Sequence, residues 1–461
     1  MQAEEKNRRY VLVVAAMAAF LTPFIGSSVN LAVPAIGREF HLEAVMLNWV
    51  VTAFLLTSAA FLLPFGRAAD LYGRKKVFLA GLVVFSLSSL CSALAPSGKV
   101  LLLFRALHGI GGSMIFSTGM AILTSVFPPQ ERGKALGINV AAVYTGLSLG
   151  PVLGGFLTHY LGWRSIFLLA FVMGAAAALL TATRVKQEWV GAAGEDYDLP
   201  GAVFYTLSMA LLMYGFSSLK TDAYGWWFFT VGLLLLALFI WQELRYRHPL
   251  LNLVLFKNPV FAFSNLAALI HYSATFGAGF LLSLYLQVVK GMDAQVAGFI
   301  LLAQPVLMAL LSPLAGRLSD RLEPRLLASA GMFLSALSLF LFSTVGADTP
   351  LELLVGGLAV AGVGFAFFSS PNTNAVMSAV ERRYYGVASA TVSTMRLVGQ
   401  AFSMAMITFF FGLYLKGLAL TPTVAPLLLK SMRLSFGVFA FLCLLGVAAS
   451  MARGRVRETG A

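Results

Sequence analysis

The chain has 461 residues, of which 59% are hydrophobic and 11% charged, and a formal net charge of +13; its mean hydropathy is +0.85. About 25% charged residues is usual for a soluble domain, so a soluble enzyme is excluded and an all-α integral membrane protein is predicted. The basic excess lies in small groups between apolar runs, not on one stripe or tail, which excludes nucleic acid as the partner.

A bilayer crossing needs about 20 apolar residues. Fourteen transmembrane spans are predicted, at 14–33, 47–66, 77–95, 100–126, 135–157, 165–183, 199–219, 227–243, 260–289, 294–315, 326–345, 351–380, 387–415 and 428–452. When the connections alternate between two sides, 22 of the 32 Lys and Arg fall on one side, among them Lys6, Arg67, Arg74, Arg132, Arg184, Arg245, Arg317, Arg382 and Arg453. The positive-inside rule then places both termini in the cytoplasm of a cell (inner) membrane protein. Arg105, Arg396 and Arg433 are left within spans. The first run follows a basic stretch and has no small-residue cleavage site, so it is expected as a helix and not a signal peptide. Cys91 and Cys443 fall in apolar spans, where small buried hydrophobes are expected rather than a disulfide.

The chain repeats itself. GRAADLYGRKKVFLAG, 66–81, matches GRLSDRLEPRLLASAG, 316–331, at an offset of 250, pairing Gly66 with Gly316, Asp70 with Asp320 and Gly81 with Gly331. At an offset of 253, Gly109 pairs with Gly362, Gly111 with Gly364 and Gly146 with Gly399. Spans two to five therefore correspond to spans ten to thirteen. Two six-helix halves are predicted at 1–184 and 259–461, separated at 185–258 by two inserted helices with polar flanks.

Two motifs have a mechanical rationale. Asp70 is placed to accept from the N-terminus of a neighbouring helix or from a nearby Arg, while Gly66 and Gly73, in the same loop as Arg74, permit a tight turn and close helix approach. Such a contact, with its counterpart at Gly316, Asp320 and Arg321, would lock the cytoplasmic side as a gate. In the fifth span, GLSLGPVLGG spaces Gly146, Gly150, Gly154 and Gly155 as a groove for a partner helix, and Pro151 removes a backbone hydrogen bond and bends the helix.

At these residues the chain resembles the major facilitator superfamily and its fourteen-helix drug:proton antiporter branch. Gly66-xxx-Asp70-xx-Gly73-Arg74-Lys75 is similar to the signature loop after helix 2, and Arg105-xx-His108-Gly109-xx-Gly112 to the helix 4 motif. Gly146-xxx-Gly150-Pro151-xx-Gly154-Gly155 resembles the antiporter motif, and SSVNLAVPAI, 27–36, the first-helix signature. The resemblance implies two pseudo-symmetric six-helix halves, alternating access around a cavity between helices 1, 2, 4, 5 and 9, 10, 12, 13, and export coupled to proton entry. It departs at Ile25, where the branch usually carries an Asp five residues before the Asn that matches Asn30.

All 19 acidic residues fall in connections or near span ends. The inventory inside the membrane is instead positive or neutral: Arg105, His108, His271 and Arg396. An intramembrane charge costs at least about 2.5–3.5 kcal/mol and turns toward the bundle interior or a cavity. The expected substrate and proton cavity comprises Arg105, His108, Asn30, Trp49, Tyr144, His271, Tyr272, Gln304, Arg396, Gln400, Asn372 and Asn374. A packing role stands beside this one: Arg105 bonded to helix carbonyls, the histidines satisfied in the core, and Trp49, Tyr144, Tyr272 and Tyr285 as helix contacts. Pro371 should bend or unwind its span, leaving Asn372, Thr373 and Asn374 to satisfy the freed backbone or meet a substrate. His108 and His271 are the best titrating candidates, since imidazole changes charge near neutral pH.

The expected function is secondary active transport of amphiphilic drugs or small organic molecules, with protons and the lipid bilayer as the other partners and a monomer as the working unit. An exporter or flippase of an anionic lipid or metabolite, with Arg105 and Arg396 clamping the head group, is the alternative. A non-transporting sensor is the alternative of another class. No catalytic set, metal-ligand spacing or Gly-rich phosphate loop occurs, so no enzyme activity, cofactor, metal or ATP is expected.

Overall fold

The computed structural model describes the backbone of residues 2–127, 129–192, 194–219, 222–319, 321–380, 385–415 and 418–454. Side chains are described over the same ranges apart from 2–4, 6, 129–134, 136, 137, 140, 385 and 386.

The helices are α1 (Gln2–Phe40), α2 (Ala44–Tyr72), α3 (Arg74–Ala93), α4 (Gly98–Val126), α5 (Pro129–Tyr160), α6 (Arg164–Arg184), α7 (Leu199–Ser218) and α8 (Gly225–Arg245), then α9 (Pro259–Leu284), α10 (Ala294–Leu301), α11 (Ala303–Ser319), α12 (Pro324–Ser343), α13 (Leu351–Ser378), α14 (Tyr385–Tyr414) and α15 (Ala425–Ala452). Among the described residues, fourteen helical spans are long and apolar enough to cross a membrane. Their ends follow from local chemistry. Ser97 accepts from Val100 N at the start of α4, and Asn258 accepts from Val260 N at the start of α9, with Pro259 supplying a preset first position.

The tenth span, Ala294–Ser319, is not one continuous helix. It is interrupted at Leu302, between α10 and α11. Pro305 accounts for the break: it has no N–H for the Leu301 carbonyl, and its ring crowds that same carbonyl.

The chain packs as two compact units. The first comprises 1–42, 46–212 and 228–250, and the second 43–45, 213–227 and 251–461, so the inserted α7 and α8 contribute residues to both. Within the first unit α1 packs on α4, α5 and α6, and α3 on α4 and α6. Within the second, α9 packs on α13, α14 and α15, and α12 on α13 and α15. The pairings correspond one to one, so the repeat is a repeat of packing as well as of letters.

The repeated glycines show why. A Cβ added at Gly111 would lie under 3.0 Å from Phe85 N and Gly81 O, and one at Gly364 under 3.0 Å from Ser335 N and Gly331 O. Gly109 meets Phe54 O of α2 as closely, and Gly362 meets Gln304 O of α11. Gly146 meets α1 at Phe20 O, and Gly399 meets α9 at Leu269 O. Backbones in these crossings touch directly, and such small-residue contacts drive helix association where lipid removes the hydrophobic advantage of leaving water. Hydroxyls in the interior are mostly spent on their own helix: Ser86, Ser89, Ser92, Thr118 and Ser435 each donate to a carbonyl one turn back. Cys443 is buried and Cys91 half-buried, both as free thiols.

Candidate functional site

The loop between α2 and α3 turns at Gly73, whose φ of 118° is open to glycine and costly for other residues. The turn brings Arg74 back onto Asp70: Nε and Nη2 both donate to Asp70 Oδ1, at 2.9 and 2.7 Å. Of the two partners anticipated for Asp70, the arginine is the one that takes it. Arg74 Nη1 reaches on to α4, donating to Ser125 Oγ at 2.7 Å and Ala121 O at 3.3 Å. In the second loop Gly316 faces Ser370 as Gly66 faces Ser117. These serines are related by the same offset of 253 as the α4 and α13 glycines. Arg321 is exposed, and Asp320 lies outside the described residues.

Arg105 and His108, one turn apart on α4, have no exposed surface. Arg105 Nε donates to Val50 O of α2 at 2.8 Å, and Nη1 contacts His108 Nδ1 at 2.9 Å. A guanidinium can only donate, so His108 Nδ1 is the bare nitrogen and Nε2 carries the proton. Nε2 then donates to Ser89 Oγ on α3 at 3.1 Å, and Ser89 passes its own hydrogen to Phe85 O. Phe54 lies 4.7 Å from the guanidinium carbon and Phe85 4.0 Å from the imidazole. The pair thus ties α2, α3 and α4 together, and Arg105 Nη2 has no hydrogen-bond partner among the described residues.

The second unit holds a similar relay at a position the repeat does not pair with His108. His271 of α9 is fully buried, stacked 4.0 Å from Phe368 of α13, with Nε2 3.2 Å from Ser335 Oγ of α12. Ser335 donates to Gly331 O, so the imidazole donates through Nε2 and leaves Nδ1 bare. Tyr272 OH lies 3.5 Å from Ser369 Oγ.

α13 stays helical through Pro371 rather than unwinding. Asn372 is buried, donating to Ser264 O at 3.1 Å, while Asn374 donates to Ser319 Oγ at 3.0 Å. The second partner of Asn372 was not anticipated from sequence. Arg453, one residue beyond α15, is fully buried, and its Nη1 donates to Asn372 Oδ1 at 3.0 Å and Ser264 Oγ at 3.2 Å. Burial lowers the Arg453 guanidinium to about 10, opposed in part by Glu323. Nothing in the letters around Arg453 separates it from an ordinary basic residue at a span end.

The antiporter motif lies on α5 against α1. Gly150 and Gly154 face Ser27 and Ser28, Ser28 Oγ donates to Gly150 O at 2.9 Å, and Pro151 and Gly155 are buried. Of the other expected cavity residues, Asn30 is 8% exposed, and Trp49, Tyr144, Gln304, Arg396 and Gln400 are half-buried. Tyr285 is buried and donates to Gly346 O at 2.8 Å.

The insert also brings two carboxyl groups together. Asp198 caps α7, its Oδ1 accepting from Gly201 N at 2.9 Å and Gln242 Nε2 at 3.0 Å. Glu243 of α8 is 4% exposed, and its Oε1 borders the space above Gly201 that Asp198 Oδ2 also borders. Both sit at helix ends, where hydropathy alone cannot tell burial from exposure.

The sequence pattern of the Major Facilitator Superfamily matches residues 15–404, and matches again over 265–460. The chain belongs to the Major Facilitator Superfamily. It is accordingly a transporter and not an enzyme. It is 29% identical over 407 residues to the riboflavin transporter RibZ of Clostridioides difficile (strain 630), covering 88% of this chain and 89% of that protein. It is 32% identical over 414 residues to the multidrug resistance protein Stp of Mycobacterium tuberculosis (strain CDC 1551 / Oshkosh), covering 87% and 75%. The fold is similar, with a TM-score of 0.70 at 16% identity and 97% coverage of both chains, to a bacterial homologue of the human lysosomal transporter Spinster in an inward-facing, unoccupied conformation. The relative named for multidrug resistance agrees with the drug-transporter branch that the motifs resemble.

Proposed function

We propose that this transporter is a proton-coupled exporter of amphiphilic drugs or small organic molecules, working by alternating access as a monomer in the cell membrane, with both termini cytoplasmic. The duplicated packing carries the reading: two units close the same helix pairs on the same glycines, the design that alternating access uses. The half-buried groups Trp49, Tyr144, Gln304, Arg396 and Gln400, with Asn30 and Tyr272, meet the substrate. Arg105, His108, Asn372 and Asn374 support them from inside each unit. Of the two histidines, His271 is the better proton acceptor, because its Nδ1 is unused whereas Arg105 occupies that of His108. The loop at Asp70 and Arg74 gates the cytoplasmic side, and the α1–α5 groove at Pro151 seals the outer one.

A second reading, export of an anionic or zwitterionic metabolite, is favoured by Ile25 in place of the branch's acid and by Arg396. Transport into proteoliposomes, with and without a pH gradient and for one cationic, one neutral and one anionic substrate, tests both. Gradient-driven transport that falls in His271→Ala is expected. Strong ethidium efflux indifferent to His108→Ala and His271→Ala would sink the proposed coupling.

A further inference from the structure

The two inserted helices have no counterpart in the repeat, yet the linker that leads into them lies on the signature loop of the first unit. We propose that Glu188–Ala192, together with Glu195, is a strap that clamps this loop, so that the gate can move only when the strap lifts. The inference rests on the gating role proposed for the loop.

The end of α2 and the start of α3 on one side, and an irregular linker far away in sequence on the other, satisfy each other here. Arg74 N donates to Trp189 O at 2.9 Å, while Gly191 N and Ala192 N both donate to Asp70 O, at 2.9 and 3.0 Å. Buried or half-buried backbone groups at a helix junction need such partners, and the loop takes them from the insert rather than from its own helices. Glu188 completes the junction. The N-cap of α3 is Gly73, which has no side chain to offer the first free amides, and Glu188 Oε1 accepts from Lys75 N at 2.8 Å instead. A carboxylate at a helix N-terminus is also favoured by the helix dipole.

Two glycines make room for the strap. A Cβ at Gly73 would run into the Glu188 carboxyl group, so this glycine serves the docked strap as well as the turn. A Cβ at Gly191 would lie 2.9 Å from Arg74 Nη2 and 3.2 Å from Asp70 Oδ1, against the pair that defines the motif. The far end is pinned by charge: Arg67 Nη2 donates to Glu195 Oε2 at 2.6 Å, and His248 Nδ1, from the linker that leaves the insert, lies 3.2 Å from the same oxygen. The loop is therefore held by α4 through Arg74 and Ser125, and by the insert through five further contacts. On this account α7 and α8 are a lever on the gate and not a spacer.

Hydrogen exchange of the purified full-length protein, read by mass spectrometry beside transport in proteoliposomes, tests the strap. Gly191→Val wedges it off, and the double variant E188Q/E195Q weakens it without adding bulk. Both should raise exchange at the amides of residues 74, 191 and 192 by about tenfold or more, the loss of one charge-assisted hydrogen bond, with melting unchanged. Both should also change the transport rate by about threefold or more, because the strap's contacts bias one gate position. Rapid exchange of these amides in the wild type, or freed amides with an unchanged transport rate, overturns the strap. Should Gly191→Val not accumulate, E188Q/E195Q decides alone. Should the wild type move none of the substrates, the transport reading fails by itself, and the strap is judged by reciprocity: Arg74→Ala must free the 191 and 192 amides, and their continued protection overturns it.

Discussion

Arg105 donates to His108 across one turn of α4, Nη1 to Nδ1 at 2.9 Å, and the imidazole hands its remaining proton to Ser89 on the next helix. A planar fork does this while its Nε reaches Val50 O on α2. A lysine ammonium has the charge but not the fork, so Arg105→Lys should behave as a disruptive change. The expected loss is about 2–4 kcal/mol of stability, since a buried acceptor and an unpaired buried charge are both left behind. A melting temperature in detergent equal to that of the wild type would refute this account.

The paired glycines should fail in pairs. Gly111→Ala and Gly364→Ala each press a methyl group into the backbone of the facing helix, and each should cost about 1–3 kcal/mol. Gly356, on α13, has open space where a Cβ would go, so Gly356→Ala should be neutral or stabilise by up to about 1 kcal/mol. Thermal unfolding of the three variants separates packing from helix propensity. Similar effects in all three would mean the crossings do not depend on contact at these positions.

Arg453→Met removes the donor that fills Asn372 Oδ1 and Ser264 Oγ between α9, α13 and α15. The expected loss is about 1–3 kcal/mol for each acceptor stranded in the interior. With the guanidinium at about 10, it stays protonated through neutral pH, so the loss should be the same between about pH 5 and 8. A loss that appears only at one end of that range would point to a different partner.

Glu195 gives a pH dependence of known sign. The hydrogen bond from Arg67 comes first among the causes that hold its carboxyl below the ordinary carboxylate range; burial opposes it, and the Arg67 and His248 charges add to the lowering. A carboxyl depressed in the folded state contributes stability above its unfolded value, near 4.3, and loses it as pH falls through the folded one. Protection of the 191 and 192 amides, taken relative to the intrinsic exchange rate at each pH, should therefore fall on acidification below about pH 4.3, and the fall should be absent in Glu195→Gln. Identical acid profiles for wild type and variant would show that another group governs the linker.

Much of the architecture is legible without coordinates. Hydropathy places fourteen spans, and the two offsets name glycines that prove to lie at helix crossings, Gly81 against Gly111 and Gly331 against Gly364. The break at Leu302 is also legible in retrospect, since Pro305 stands four residues after the carbonyl that it cannot bond. Other features are not. Pro371 looks like a place for the chain to unwind, yet α13 continues through it while Asn372 and Asn374 find partners on α9, α11 and beyond α15. Asp198 and Glu243 stand in a connection or near a span end, where hydropathy does not separate burial from exposure, and both are buried. Glu188 and Glu195 read as ordinary linker acids, and both are bonded to the loop after α2.

The letters alone determine the solvent, the number of crossings and the duplication, because each is a property of composition or spacing along the chain, and the superfamily follows from the resemblance of its motifs. Tertiary structure decides what each polar group is for. Asp70 could have met a helix end and met Arg74; Arg105 could have faced open space and instead holds three helices; the insert could have hung apart and lies on the signature loop. Each choice depends on which helix crosses which, and at what depth. A hydrogen bond of a few ångströms reads that arrangement, whereas hydropathy reads only the membrane around it.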